Sequence, residues 1–276
     1  MKKFEGILFC TDLDGTLYTK DKKVSKENLE AIEYFKKEGG KFTFITGRVH
    51  QTSEEIFNTI KPNAPYGCLN GGGIYDGENK KYLWNMLLPK EALELVCEVD
   101  KKIPQMGIQV CTKKEVIFSK ESAAMEYFRQ VTGVPDIRYS YKDVKDPILK
   151  VVLGSVVEEE IIEVSKLLNS HPKAKEFDFI RSEKRLYEIL PKGANKGLAL
   201  EKLAEILGIS MEKTIAVGDY DNDVSMVKRA GVGFAVSNAV EDVKAAADYI
   251  TVSNEESAIA KIIDMLDKGE ILDGRE

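Results

Sequence analysis

The chain has few of the residues that build disulfide frameworks or transition-metal sites. Its 276 residues include four cysteines, two histidines and one tryptophan. Cys10, Cys68, Cys97 and Cys111 lie far apart with no C-x-x-C pair, so their spacing does not support a zinc site. Their apolar neighbours suit buried free thiols in a reducing compartment. The first apolar run, Ile7–Cys10, is too short for a secretory leader or a membrane span, and the expected location is the cytoplasm, with no membrane partner. An excess of positive charge is also missing: 46 acidic residues outnumber 40 basic ones, for a net charge of -6. Nucleic-acid binders usually present a basic face, so nucleic acid is not an expected partner. No G-x-G-x-x-G follows the first apolar run, which excludes a nucleotide-binding dehydrogenase.

What is present reads as an α/β protein with an insertion. Ile7–Cys10 is a continuous apolar run that stops at acids and glycine, as a buried parallel strand does before a functional loop. Ser25 can cap a helix carrying Leu29, Ile32 and Phe35, ended by Gly39-Gly40. A second strand, Phe42–Ile45, runs into Thr46-Gly47-Arg48. This is a βαβ unit, in which ligands bind at the carboxyl ends of the strands. The last third repeats the style. Asn195 caps a helix, Thr214–Val217 is a strand ending in Gly218-Asp219, and Asp221 is expected to cap the helix that follows. Further strands are expected over Val232–Val236 and Tyr249–Val252, with a closing helix over Glu255–Leu266. Between these halves the pattern is mixed and partly antiparallel. A hairpin (Gly107–Cys111, Glu115–Ser119), three more strands and three helices predict a second domain over residues 82–189, inserted into a core of 1–81 and 190–276.

Two acidic loops carry the chemistry. Asp12-Leu13-Asp14-Gly15-Thr16 sets two carboxylates two residues apart, where they can converge and where a cation or a held proton must offset their repulsion. Gly218–Asp223 supplies Asp219, Asp221 and Asp223 at a second strand end. Asp12, Asp14, Asp219 and Asp223 together form a hard oxygen site suited to magnesium. Lys196 lies in the first turn of its helix, where the dipole disfavours a cation unless an anionic cluster or phosphate is near. The Thr46 hydroxyl, the Gly47 amide and the Arg48 guanidinium could face an anion, and Asn70-Gly71-Gly72-Gly73 could bring amides close to a ligand or serve as a flexible connection.

These segments resemble the haloacid dehalogenase-like hydrolases, specifically the Cof-like phosphatases with a type IIB cap. The likeness rests on D-L-D-G-T (Asp12–Thr16), I-T-G-R (Ile45–Arg48), L-N-G-G-G (Leu69–Gly73), E-I-L-P-K-G-A-N-K-G (Glu188–Gly197) and G-D-Y-D-N-D (Gly218–Asp223), in that order. It implies a Rossmann-like core, a mostly parallel sheet with helices on both faces, and an α+β cap that chooses the substrate. It also implies roles. Asp12 would be the nucleophile and form a phospho-aspartate, and Asp14 would be the general acid and base. Mg2+ would be held by Asp12, the Asp14 backbone carbonyl and Asp219, with Asp223 assisting. Thr46, Gly47, Arg48, Asn70, Gly71, Lys196 and Asn222 would surround the phosphate, with Lys196 and Thr46 assisting catalysis. Asp14 favours phosphate esters over halide or phosphonate chemistry. Arg181, Ser182 and Glu188 are candidates for substrate choice by the cap, or hinge and surface residues.

The expected substrate is a small phosphorylated metabolite, a sugar phosphate or a phosphorylated cofactor precursor, handled by a monomer or homodimer. A phosphotransferase or mutase would use the same nucleophile. A non-catalytic phosphosugar-binding regulator would be marked by loss of Asp12, Asp14 or Lys196, and all three are present.

Overall fold

A computed structural model describes residues 2–271; residues 1 and 272–276 of the expected core range lie outside the described residues. The chain begins with β1 (Leu8–Thr11), α1 (Lys26–Lys37) and β2 (Lys41–Phe44). Next come α2 (Glu54–Ile60), β3 (Tyr66–Cys68), β4 (Gly73–Asp76) and β5 (Lys81–Asn85). The middle holds α3 (Ala92–Lys102), β6 (Gly107–Thr112), β7 (Val116–Lys120), α4 (Ala123–Thr132), β8 (Ile148–Gly154), α5 (Glu158–Asn169), β9 (Phe177–Glu183) and β10 (Leu186–Pro191). The chain then adds α6 (Lys196–Leu207), β11 (Thr214–Gly218), α7 (Val224–Arg229), β12 (Val232–Ala235), α8 (Glu241–Ala246), β13 (Tyr249–Ile250) and α9 (Ala258–Asp267).

These elements form two compact units. One comprises the chain up to Arg48, Ser53–Trp84 and the part from Asn195 onward; the other comprises Val49–Thr52 and Asn85–Ala194. In the first, a parallel sheet runs β13-β12-β11-β1-β2, and β3-β4-β5 form a smaller sheet. β1 is central because it is apolar on both sides. Leu8 and Cys10 pack with Ala199, Leu200 and Leu203 of α6 and Met226 of α7. Phe9 points the other way, its ring 5.9 Å from Phe35 of α1 and 5.3 Å from Phe42 of β2. Helices therefore cover both faces, as continuous apolar strands require. Ser25 and Asn195 cap α1 and α6 as expected, accepting from Asn28 N and Leu198 N. In the second unit the sheet order is β7-β6-β8-β10-β9 with antiparallel pairings, and α3 and α5 close one face. No helix among the described residues is long and apolar enough to cross a membrane.

Phe35 is fully buried, stacked on Phe4 at 4.9 Å as well as touching Phe9 and Phe42. Phe35→Ala should lower the unfolding free energy by about 3–5 kcal/mol, measured by urea denaturation. A loss below about 1 kcal/mol would show that this aromatic cluster can repack around the cavity.

Candidate active site

The parallel sheet places both acidic loops side by side. β1 and β11 are neighbours with Thr11 opposite Val217, so Asp12 and Asp219 leave the sheet at the same end. Asp12 N donates to Val217 O at 2.9 Å, fixing the start of the first loop against β11. Gly15 makes the close approach of the second loop possible. Its φ is +87°, and a Cβ there would lie 2.3 Å from an Asp219 carboxylate oxygen. Thr16 Oγ1 then donates to Asp219 Oδ1 at 2.7 Å.

Lys196 stands at the start of α6 and is 1% exposed. Its Nζ donates to Asp12 Oδ1 and to Asp223 Oδ1, each at 2.5 Å. This resolves the apparent misplacement of a cation in the first helical turn, because the two carboxylates outweigh the helix dipole. The other Asp223 oxygen accepts from Asp219 N at 2.9 Å and Tyr220 N at 3.1 Å. Asp223 thus closes the turn by reaching back over it, and Asp221, expected as the cap, lies inside the helical turn that begins after Tyr220.

Asp12, Asp219 and Asp223 each offer a carboxylate oxygen, all within 4.8 Å of one another. Hard oxygens gathered this closely suit a divalent cation such as magnesium. Burial, then the charge of Asp223, pushes the Asp12 carboxyl well above the usual range despite Lys196. The same two causes, in the same order, push Asp219 up to about 7. The charge imbalance is what a bound cation would relieve.

Asp14 sits in the opposite field. Its carboxylate accepts from Arg48 Nε at 2.9 Å and Nη2 at 2.8 Å, and from Lys22 Nζ at 2.6 Å. Burial alone would raise its pKa, but Arg48 and then Lys22 hold it below the ordinary carboxylate value. The Asp14 side chain thus stands apart from the three clustered carboxylates. Arg48, expected to face phosphate, is aligned on Asp14 and lies over the Tyr18 ring, 5.4 Å from its centroid. Lys22 escaped sequence reasoning, since nothing marks it within Asp21-Lys22-Lys23. Thr16 belongs to the D-L-D-G-T motif, and only the fold shows that its hydroxyl reaches Asp219.

The remaining residues expected to face phosphate form a connected wall. Thr46 N donates to Gly67 O at 3.0 Å, and its Oγ1 accepts from Arg48 N at 3.2 Å. Asn70 adopts φ 52°, ψ 34°, donates through its backbone to Thr46 O, and accepts from Asn222 Nδ2 at 2.9 Å. Gly47 lies against the Asn70 side chain. Gly71, at φ +95°, passes so near Asn195 that a Cβ would sit 1.9 Å from its carbonyl oxygen. That contact ties the glycine loop to the residue preceding Lys196.

Of the three specificity candidates, two come together. Ser182 Oγ donates to Glu188 Oε1 at 2.7 Å. Arg181 turns elsewhere, its Nη2 reaching Glu158 Oε2 and Lys184 O, both at 2.7 Å. It is opposite Tyr187 in the β9–β10 register, and alternation sends it to the α5 side of the sheet.

Residues 9–263 match the family described as haloacid dehalogenase-like hydrolase. Phosphatase YwpJ of Bacillus subtilis (strain 168) is 28% identical over 281 residues, covering 93% of this chain and 98% of the relative. From the same organism, 5-amino-6-(5-phospho-D-ribitylamino)uracil phosphatase YwtE is 30% identical over 284 residues, covering 94% and 97%. A crystal structure of a haloacid dehalogenase-like hydrolase from Bacteroides thetaiotaomicron superposes with a TM-score of 0.82 at 28% identity, covering 94% and 99%. The chain belongs to the haloacid dehalogenase-like hydrolase family. Within it, the enzyme class is that of the phosphatases.

Two outcomes follow from the geometry. Gly15→Ala should cut turnover by about 10²-fold, because Asp219 must move to admit the methyl group; steady-state rates near wild type would refute the close approach. Because Asp219 is pushed up to about 7, a proton would compete there with a divalent cation. Apparent magnesium affinity, measured by calorimetry, should fall about tenfold per pH unit below that value and level off above it.

Proposed function

We propose that this phosphatase is magnesium-dependent and hydrolyses the phosphomonoester of a small metabolite through a phospho-aspartate on Asp12. The observation that carries the reading is the contrast between two carboxylates two residues apart. Asp12 is buried against Lys196 beside Asp219 and Asp223, while Asp14 is held by Arg48 and Lys22. A divalent cation beside Asp12 would hold its carboxylate ionised for attack, while Arg48 and Lys22 keep Asp14 apart in the separate position of a proton carrier.

In this reading an oxygen of Asp12 attacks phosphorus in line with the departing alkoxide. Lys196 neutralises charge that would otherwise grow between nucleophile and phosphoryl oxygens. Thr46, the Gly47 amide and the Asn70–Asn222 pair orient the phosphoryl group. Asp14 gives a proton to the leaving oxygen and then takes one from the water that cleaves the acyl phosphate. Its ionised, Arg48-bound state fits the second task, and the first requires it to leave Arg48 with a proton. Asp12, Asp219, Asp223 and the Asp14 carbonyl would hold the magnesium ion, which when bound supplies positive charge to offset repulsion between the anions.

Residues 1–81 and 190–276 would carry the chemistry and 82–189 the choice of leaving group. The name of YwtE specifies a phosphorylated small molecule, which supports a substrate of that kind here. Four cysteines outside any disulfide among the described residues fit a cytoplasmic setting.

With magnesium, the purified protein should release phosphate from p-nitrophenyl phosphate, and EDTA should abolish the activity. Asp12→Asn should be folded and inactive, and Asp14→Asn should lose about 10²–10⁴-fold in kcat. Wild-type inertness across a phosphometabolite panel, or full activity in Asp12→Asn, would refute the mechanism.

A further inference from the structure

The loop that follows β12 touches both acidic loops, although it carries none of the clustered carboxylates. Val236 N donates to Gly218 O at 3.3 Å and Val240 N to Asp219 O at 2.9 Å, so both of its ends are hydrogen-bonded to the loop after β11. Between them Asn238 Nδ2 donates at 2.9 Å to Gly15 O, in the loop after β1. Asn238 Oδ1 accepts from Asn254 N at 3.0 Å, and Asn254 Nδ2 donates to Tyr18 O at 2.8 Å. All of these residues belong to the first compact unit.

The carbonyls that are gripped are those that shape the nucleophile loop. After Asp12 the chain closes a single turn in which Leu17 N and Tyr18 N both donate to Leu13 O, at 3.1 and 2.8 Å. Asn238 holds this turn at Gly15 and Asn254 holds it at Tyr18. Gly15 is also where the turn presses against the Asp219 carboxylate, and the next residue, Thr16, donates to Asp219 Oδ1. Fixing Gly15 O fixes the peptide plane that Gly15 shares with Thr16.

The partners dictate the residue type. A backbone N–H can only donate and a carbonyl can only accept, so the Asn238 amide fits Asn254 N and Gly15 O in one orientation. An aspartate would set a second acceptor against Gly15 O, and a leucine of similar size would meet neither group. Stability alone does not account for the arrangement. Asn238 is exposed, and an exposed hydrogen bond replaces bonds to water for little net gain. Position is a different matter, since a displacement of about 1 Å at a reacting group can cost about 10²-fold in rate.

We propose that Asn238 is a positioning residue for the phosphatase reaction, tying the Asp12 loop to the Asp219 loop while Asn254 anchors it from behind. This rests on the phosphatase reading above and adds to it a residue outside the carboxylate cluster. Asn238 acts through Gly15 and Thr16, which set the spacing between Asp12 and Asp219. The buried Asn254, 6% exposed, fixes the far end of the same turn.

The test compares the full-length wild type with Asn238→Ala, Asn238→Asp and the neighbouring Ser237→Ala, using p-nitrophenyl phosphate and saturating magnesium. Asn238→Ala should lose about tenfold in kcat, the equivalent of one hydrogen bond, with KM within about twofold. Asn238→Asp keeps the bond from Asn254 N but opposes Gly15 O, and should lose at least as much. Ser237→Ala should match the wild type. Hydrogen exchange read by mass spectrometry adds a measure independent of turnover. Amides of residues 13–19 should exchange about tenfold faster in Asn238→Ala, while those of β1 and α6 keep their rates. The melting temperature should stay within about 2 °C of the wild type. Unchanged kcat in both Asn238 variants, or unchanged exchange over residues 13–19, would overturn the proposal. So would a loss of turnover accompanied by faster exchange in β1 and α6, which would make Asn238 a stabilising residue only. In each of these cases the phosphatase reading would stand. A wild type inert towards p-nitrophenyl phosphate and a phosphometabolite panel would instead refute the phosphatase reading, and with it this inference.

Discussion

The ammonium of Lys196 lies buried between Asp12 and Asp223, and the loops around it are arranged to keep it there. Removing one member of a buried charge cluster strands the others, a penalty of about 3–5 kcal/mol. Position therefore matters more here than composition. Asp223 serves both sides of its own turn, receiving the Lys196 ammonium on one oxygen and two backbone N–H groups on the other. The helix start that would repel a lone cation becomes the right place for one once two carboxylates close over it.

Steric allowances at two glycines make this electrostatic arrangement possible. Gly15 lets the Asp219 carboxylate come within a distance that any side chain would block, and Gly71 lets its loop rest on the Asn195 carbonyl. Each glycine thus connects two segments far apart in the chain. Charge separation within the first loop is the other half of the design. Asp12 and Asp14 are neighbours in sequence, yet one faces carboxylates and the other a guanidinium and an ammonium.

The βαβ frame, the caps at Ser25 and Asn195 and the loops after β1 and β11 were legible because they depend on local signals: apolar runs, N-cap residues and glycine stops. The convergence of Asp12, Lys196 and Asp219 was legible only because several motifs occurred together in order. Contacts that depend on tertiary placement were not. Lys22 reaches Asp14 from an unmarked surface loop, and Thr16 meets Asp219 across 203 positions of sequence. Asp221 and Asp223 could not be told apart by spacing, since the choice depends on which side chain folds back over the turn. Arg181 and Ser182 looked alike as candidates until strand alternation sent Arg181 away from Glu188.

The order of strands has a consequence for how the molecule comes into being. β1 is made long before β11, one of its two partners in the sheet, and Asp12 is 184 residues ahead of Lys196. A chain emerging from the ribosome has β1 and β2 long before anything can pair with the other side of β1. Closing a gap of that length is entropically demanding and slow compared with local pairing. The exposed flank of β1 must therefore stay out of wrong pairings while the intervening unit is synthesised. Asp12 and Lys196 meet only after the intervening unit has been synthesised, so a shorter nascent chain carries the acidic loop without the charge that completes it.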